Sequence, residues 1–473
     1  MTPSVSRVLS DSPAARWSAL LIVSFTMMAA YFLTDVMSPL EPMLEQTLRD
    51  NGLGMGWSST EYGFFSGSYG FINVYLLMLF FGGLILDRMG IRFTGVLATG
   101  LMVIGAGIKF YAISSVSPEP TTYVNIPFLG LSQAMVKNQV LLAALGFSIF
   151  GVGAEIAGIT VSKIIAKWFR GHNMALAMGL QVALARLGTA LALGLSPVIA
   201  ARFHSLSIPI LFGWACLVIG LFAFLAYSVM DRRLDNSLKT ETTSKGDDKG
   251  DDDKFRFRDL AAIFTSTGFW LITLLCLLFY SGVFPFLKFA AKLMTAKYGI
   301  DPEIAGTFPA VVPFGTILLT PVFGMIYDKI GKGATLMLIG SCILTLVHLC
   351  FALPIFQTAA FAIVLMIFLG IAFSLVPSAL WPSVPKIIPM KQLGSAYAII
   401  FYIQNIGLSM VPILIGTVLE KSKVISPTGE EATDFTHAMY IFTAFGIAAI
   451  LLALALRIAD SHFHYGLQQK DKA

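Results

Sequence analysis

The stretch Gly83-Leu-Ile-Leu-Asp87-Arg88-Met-Gly90-Ile-Arg92 recurs later in the chain as Gly324-Met-Ile-Tyr-Asp328-Lys329-Ile-Gly331-Lys332. Both copies read Gly, three residues, Asp, a base, one residue, Gly, and then a further base. Glycine permits a tight turn between two helices. The Asp can accept hydrogen bonds from a helix terminus or an Arg. Each copy follows the second apolar run of its half of the chain. A turn repeated at the same place in both halves marks an internal duplication, so the runs around it decide the fold.

Those runs dominate the composition. Of 473 residues, 56% are hydrophobic and only 12% are Asp, Glu, Lys or Arg, against about 25% charge in an ordinary soluble domain. Mean hydropathy is +0.78. A bilayer-spanning helix takes ~20 apolar residues, and the runs predict twelve spans: 17–38, 61–86, 92–115, 139–166, 173–201, 206–230, 266–296, 303–327, 334–353, 357–385, 393–419 and 435–459. The expected fold is an all-α polytopic membrane protein with twelve transmembrane helices in two pseudo-symmetric six-helix halves. Soluble enzymes, nucleic-acid binders, secreted disulfide scaffolds and disordered proteins are poor fits. Cys216, Cys276, Cys342 and Cys350 all lie in apolar runs without a ligand pattern, so neither a disulfide nor a metal site is expected.

With the N-terminus inside, 21 of the 32 basic residues fall in inward loops and six outside. The positive-inside rule then places both termini in the cytoplasm. The chain divides into a cytoplasmic N-terminus at 1–16, a first half at 17–230, a cytoplasmic linker at 231–262, a second half at 263–459 and a tail at 460–473. The linker mixes eight bases with nine acids and has few apolar residues until Phe255, too little to bury a core. Its FRFRDL end suits a short helix on the membrane surface.

Seven ionisable residues remain within the spans: Asp35, Lys109, Glu155, Lys163, Arg186, Lys288 and Lys292. Such groups usually face a cavity or a partner. Lys109, Lys163 and Lys292 lie nearer helix ends and are expected to snorkel. Glu155 and Arg186 fall at mid-depth on spans four and five, which the short KWFRGHN turn makes antiparallel neighbours. Either they neutralise each other and fix packing, or they form a substrate site. In the second reading a carboxylate meets an ammonium group and the planar guanidinium grips a carboxylate. Opposite charges some ångströms apart suit a zwitterion longer than one amino acid, and the two readings alternate if the pair closes when substrate leaves.

Aligning Ala185-Arg186-Leu187-Gly188 with Gln404-Asn405-Ile406-Gly407 sets Arg186 across the pseudo-twofold axis from Asn405, and Glu155 against Ser374. The first half would hold the charges and the second would contact the ligand. Tyr31, one turn before Asp35, belongs with the candidate ligand contacts. Asp35 either binds a cation or proton or caps the helix broken before Ser38-Pro39. Lys288 follows Phe284-Pro285-Phe286, where proline should kink span seven; it either meets an anionic group or plays a structural part. His348 is expected to be packed or bonded between helices. Span ten ends in Pro377-Ser-Ala-Leu-Trp381-Pro382-Ser-Val-Pro385, which argues for a broken or bent helix acting as a gate. Trp381 either lines the cavity floor or anchors the interface. The expected gating residues are Gly83, Asp87, Arg88, Gly90, Arg92, Asp328, Lys329 and Pro382.

The repeated turn resembles the signature loop of the major facilitator superfamily, whose halves rock about a central site. The segments FGGLILDRMGIR, GAEIAGITVSKIIAKWFRGHNMALAMGLQVALARLG, FPFLKFAAKL and PSALWPSVPKIIPMKQLGSAYAIIFYIQNIGLS look like the lysosomal dipeptide uniporter branch of that superfamily. The resemblance implies dipeptide transport by alternating access without obligatory proton coupling. It also implies that Glu155 meets the peptide amino group, Arg186 the peptide carboxylate, and Trp381 the bound peptide, and it admits an accessory subunit to what is otherwise expected to be a monomer. The expected partners are a small zwitterionic peptide and the lipid bilayer, with no nucleic acid and no cofactor. Alternatives within the superfamily are an organic-anion or carboxylate exchanger centred on Arg186 and Lys288, and a proton-coupled symporter, although residues 17–38 lack the ExxER motif of proton-coupled peptide transporters. No Gly-x-Ser-x-Gly, His-Glu-x-x-His or His cluster points to an enzyme. With no Asn-x-Ser/Thr sequon and no lysosomal sorting signal, the expected address is a plasma membrane, with a bacterial inner membrane among the candidates, rather than a lysosome.

Overall fold

The structure is a computed structural model that describes residues 12–47, 52–169, 173–242, 263–355, 357–389, 392–425 and 431–469. Among the described residues eleven helices are long and apolar enough to cross a membrane: Pro13–Glu45, Arg88–Ser115, Asn138–Trp168, Leu176–Phe203, Ser207–Asp235, Thr267–Tyr298, Pro302–Ile330, Gly333–Ala352, Ala359–Ile387, Leu393–Lys421 and Thr436–Phe463. A twelfth crossing is the pair Ser59–Tyr75 and Met78–Leu86, bent by 60°. They are called spans one to twelve in chain order, the bent pair being span two.

The duplication is visible in the packing. Span one packs on five and six, and span three on four and six; span seven packs on eleven and twelve, and span nine on ten and twelve. The halves meet where span two crosses eleven and where five crosses eight. The turn glycines do what the motif requires: Gly90 has φ 78° and Gly331 φ 67°, left-handed values that suit a residue without Cβ.

Span one is helical over Pro13–Asp35 and then tightens into a 3₁₀ turn at Ser38–Leu40. Pro39 has no N–H to continue the ladder. Two lysines cap the freed end: Lys109 Nζ donates to the Leu33 carbonyl at 2.6 Å and Lys288 Nζ to the Thr34 carbonyl at 2.8 Å. Cations are favourable at a helix C-terminus. Lys109 is therefore 0% exposed instead of snorkelling, with its ammonium also 4.7 Å from the centre of the Phe147 ring. Lys292 is likewise buried rather than snorkelling.

Span ten bears on a second expectation, a helix broken or bent at its prolines: it is not broken. It is one continuous helix, Ala359–Ile387, through Pro377, Pro382 and Pro385. Pro385 cannot donate to the Trp381 carbonyl, and Tyr397 Oη of span eleven donates to that carbonyl at 3.2 Å instead. Membrane helices keep prolines when neighbours satisfy the freed carbonyls in this way. Span seven also stays helical through Pro285. The break falls in span two, where Leu77 takes a left-handed conformation (φ 53°) with no proline to announce it.

The long loop between spans three and four is a β-hairpin, β1 (Thr121–Ile126) paired antiparallel with β2 (Leu131–Lys137). It marks one end of the bundle, the hairpin end; the repeated turns mark the other. The sixth helix continues to Thr242, into the stretch expected to be linker. The rest of that stretch, including FRFRDL, lies outside the described residues.

Candidate functional site

Glu155 on span four faces the centre of the bundle, half-buried, and accepts a hydrogen bond from Tyr69 Oη at 3.0 Å. Tyr69 is aimed by the short 3₁₀ turn Ser68–Gly70 in span two. A Cβ on Gly151 of span four would strike the Tyr69 carbonyl, so the two helices touch backbone to backbone there. The Asn405 amide also faces Glu155, while Asn405 Nδ2 donates to the Phe401 carbonyl at 3.0 Å. Asn405 Oδ1 is buried without a partner.

Arg186 on span five is half-buried and surrounded by rings. Its guanidinium carbon lies 4.7 Å from the centre of Phe373, 5.3 Å from Phe284 and 6.0 Å from Tyr31. Tyr31 belongs to the first half and the two phenylalanines to the second, so Arg186 is gripped from both. Ring faces attract a cation without consuming its N–H donors. Among the described residues no ion pair joins Arg186 to Glu155, and none of its donors has an acceptor. The site thus presents a guanidinium fork and a carboxylate that leave each other free. The Tyr31 hydroxyl lies within electrostatic range of both, and of Asp35.

The floor on the second-half side is aromatic. Trp381 is half-buried and stacks on Phe401 at 5.0 Å. Its Nε1 donates to Tyr280 Oη at 3.1 Å, and Tyr280 stacks on Phe284 at 5.6 Å. One ring set therefore runs from Trp381 to Arg186. Beside it a cavity of about 620 Å³ opens between spans five, eight and ten, lined by Leu184, Leu187, Phe314 and Leu318. That cavity is apolar and could take hydrocarbon but not a charge.

Lys288 lies elsewhere. Its ammonium is 2.6 Å from Asp35 Oδ1, and Asp35 Oδ2 accepts from Thr189 Oγ1 at 2.8 Å. This pair ties span seven to span one towards the hairpin end. His348 is buried, bonded to the Gly282 carbonyl at 2.8 Å and flanked by Phe286 and Phe442.

At the hairpin end the halves are locked together. Ser59 N donates to Glu420 Oε2 at 2.8 Å, Lys423 Nζ meets Glu45 Oε1 at 3.2 Å, and Tyr62 Oη donates to the Lys288 carbonyl at 3.0 Å. Ser409 Oγ donates to the Gly67 carbonyl at 2.9 Å. A Cβ on Gly63 would strike the Pro412 carbonyl, and one on Gly416 the Ser59 carbonyl. Towards the other end the cross-half hydrogen bonds among the described residues stop at Tyr402 Oη to the Val74 carbonyl, 3.1 Å. Beyond it Arg88, Asp328 and Lys329 are exposed, and a Cβ on Gly83, Gly90 or Gly324 would meet nothing within 4 Å. Arg92 turns back into its own half, to Asp235 at 2.7 Å and Asp231 at 3.3 Å. Pro382 lies within the continuous helix of span ten, and the Asp87 side chain lies outside what the structure describes. Among the described residues the halves are closed on each other at the hairpin end and parted beyond Tyr402 towards the repeated turns.

Sequence reasoning missed Tyr69, Tyr280, Phe284 and Phe373 as site residues. The one signal available was the Ser66-Gly-Ser-Tyr-Gly70 interruption of an apolar run, which places Tyr69 on an irregular turn.

The sequence model of the Major Facilitator Superfamily matches residues 20–412. The chain is 25% identical over 471 residues to the lysosomal dipeptide transporter MFSD1 of Homo sapiens, covering 97% of this chain and 90% of that protein. Among solved structures it is similar to a D-xylose-proton symporter, with a TM-score of 0.65 at 18% identity over 93% of this chain and 97% of that one. It is also similar to the nucleoside transporter NupG, with a TM-score of 0.64 at 13% identity over 93% and 98%.

Proposed function

The chain belongs to the Major Facilitator Superfamily, and on that premise we propose that it moves dipeptides, or related small zwitterions, across its membrane as a uniporter. It is a multi-pass membrane transporter, not an enzyme. One observation carries the substrate class: among the described residues Glu155 and Arg186 share the central site without an ion pair between them, which leaves each open to a ligand. The carboxylate, steadied by Tyr69 and Asn405, suits a peptide ammonium group. The guanidinium, with its fork unused, suits a peptide carboxylate. The aromatic floor around Trp381 suits packing on the peptide and its side chains. The name of the human relative points to the same class.

Transport proceeds by alternating access. The state described here is open at the repeated turns, and Gly83, Asp87, Arg88, Gly90, Arg92, Asp328 and Lys329 act when that end closes, with Pro382 in the helix that moves. The distribution of basic residues favours both termini and the open end in the cytoplasm, and the lack of a sequon and of a lysosomal sorting signal favours a plasma membrane over a lysosomal one. Engagement of Lys288 by Asp35 disfavours the anion-exchanger reading, because it withdraws one of the two cations that reading needs.

The test is uptake of a labelled dipeptide into proteoliposomes. Glu155→Ala and Arg186→Ala are each expected to abolish uptake while the protein still inserts and unfolds cooperatively. Normal uptake by both would sink the site.

A further inference from the structure

Five charged groups from four parts of the chain converge where the hairpin end closes. Glu41 and Glu45 end span one, Lys292 comes from span seven, Glu420 from span eleven and Lys423 from β3 (Lys423–Ile425). Lys423 Nζ lies 3.2 Å from Glu45 and 3.1 Å from Glu420. Lys292 touches Glu45 and donates to Ser59 Oγ at 2.6 Å. Glu420 also accepts from Ser59 N at 2.8 Å. Glu431, 3.8 Å from Lys423, is exposed and solvated. Three buried or half-buried carboxylates therefore share two ammonium groups, and one carboxylate is left over.

That one is Glu41. It is 2% exposed, and neither of its carboxylate oxygens has a hydrogen-bond partner. Lys292 Nζ is 3.9 Å away, beyond hydrogen-bond range. The other polar groups around it are committed elsewhere: Tyr62 Oη to the Lys288 carbonyl, Trp57 Nε1 to Gln139, Ser58 Oγ to Glu61 at 3.3 Å and Ser59 Oγ to Glu45 at 3.4 Å. The gap bounded by Glu41, Leu44, Glu45, Trp57, Ser58, Ser59 and Tyr62 is too narrow for a water molecule, so neither water nor a hydrated metal ion can fill the place of a donor. A proton needs no such room, and it turns a buried anion without donors into a neutral group that burial tolerates.

We propose that Glu41 is a proton-binding site of the hairpin-end seam. It holds a proton while the seam is closed and returns it to the solution on that side when the seam opens. Because Glu41 exchanges with one compartment only, the proton is not carried across. Acid at the hairpin end shifts the transporter towards the closed state described here, and alkali towards opening at that end. The inference needs only that the two ends alternate, so it stands apart from the dipeptide reading.

The test measures the seam directly in full-length protein in lipid nanodiscs. The four native cysteines are replaced and spin labels are carried by Phe203→Cys and Ile304→Cys, both exposed at that end. Between about pH 8 and about pH 5, above the ~4.3 of an exposed Glu, the ratio of short to long distances should rise as pH falls. One proton allows at most about tenfold per unit. Glu41→Gln should hold the short distance throughout, whereas Glu45→Gln, which strips Lys292 and Lys423 of a shared acceptor, should lengthen it. A flat wild-type ratio, a Glu41→Gln variant that titrates like the wild type, or one that opens as Glu45→Gln does would overturn the proposal. So would a Glu41→Gln thermal midpoint well below the wild type's at about pH 5, since an amide should replace a neutral carboxyl without loss. Substrate-driven proton uptake that Glu41→Gln abolishes would mean that the proton is carried, and would overturn it too.

Discussion

Tyr69 donates to Glu155 at 3.0 Å, and this bond both orients the carboxylate and shares its charge. A hydrogen bond to a charged group contributes about 1.5–3 kcal/mol. Tyr69→Phe is therefore expected to weaken dipeptide binding by roughly tenfold to a hundredfold, read by calorimetric titration, and to leave binding of an N-acetylated dipeptide unchanged. An equal loss for both peptides would detach Tyr69 from the amino-group subsite. Glu155 and Arg186 were legible in the sequence because a charge at mid-depth in an apolar run stands out against its surroundings. Tyr69, Phe284 and Phe373 were not, because an aromatic residue among apolar neighbours reads the same whether it packs or lines a site. The partners of Lys109 and Lys292 were hidden for another reason. Their acceptors, the Leu33 carbonyl, Ser59 and Glu45, lie far away in the chain and come close only when the spans assemble.

Between elements, the seam of span two with span eleven is built on missing side chains. Gly63, Gly67 and Gly416 let backbones touch backbones, the kind of approach small residues permit between membrane helices. Gly63→Leu would drive these helices apart at a typical overpacking cost of about 1–3 kcal/mol, borne by the closed state. The expected result is faster reaction of a membrane-impermeant maleimide with a cysteine placed at Ile413, now 5% exposed; an unchanged rate would show that the seam is not a close contact. Span boundaries were readable from hydropathy, and the turn glycines from their repetition. The break at Leu77 was not, since no proline or glycine sits there. The continuity of span ten was not readable either, because the hydroxyl that rescues the Trp381 carbonyl belongs to Tyr397 on the next helix.

For the molecule as a whole, two halves lock at the hairpin end through pairs such as Asp35 with Lys288, and part at the other. Removing one member of a buried pair typically costs about 3–5 kcal/mol, because the other charge is left alone. Lys288→Met should therefore shift the labelled seam towards its long distance, and adding Asp35→Asn should return it most of the way. A double variant as open as the single would show that the pair does not hold the seam. The duplication and the twelve crossings followed from composition and spacing, whereas the closed end did not, since one sequence encodes both states of an alternating transporter. At the centre stand two charges with no ion pair between them, which the proposed function assigns to the two termini of a peptide. Binding of a dipeptide in free, N-acetylated and C-amidated forms to wild type, Glu155→Gln and Arg186→Ala tests this most directly. Each blocked peptide should bind wild type at least tenfold more weakly than the free one (about 1.4 kcal/mol or more). Acetylation should cost nothing further in Glu155→Gln, and amidation nothing further in Arg186→Ala. Blocked peptides that bind wild type as tightly as the free dipeptide would contradict it.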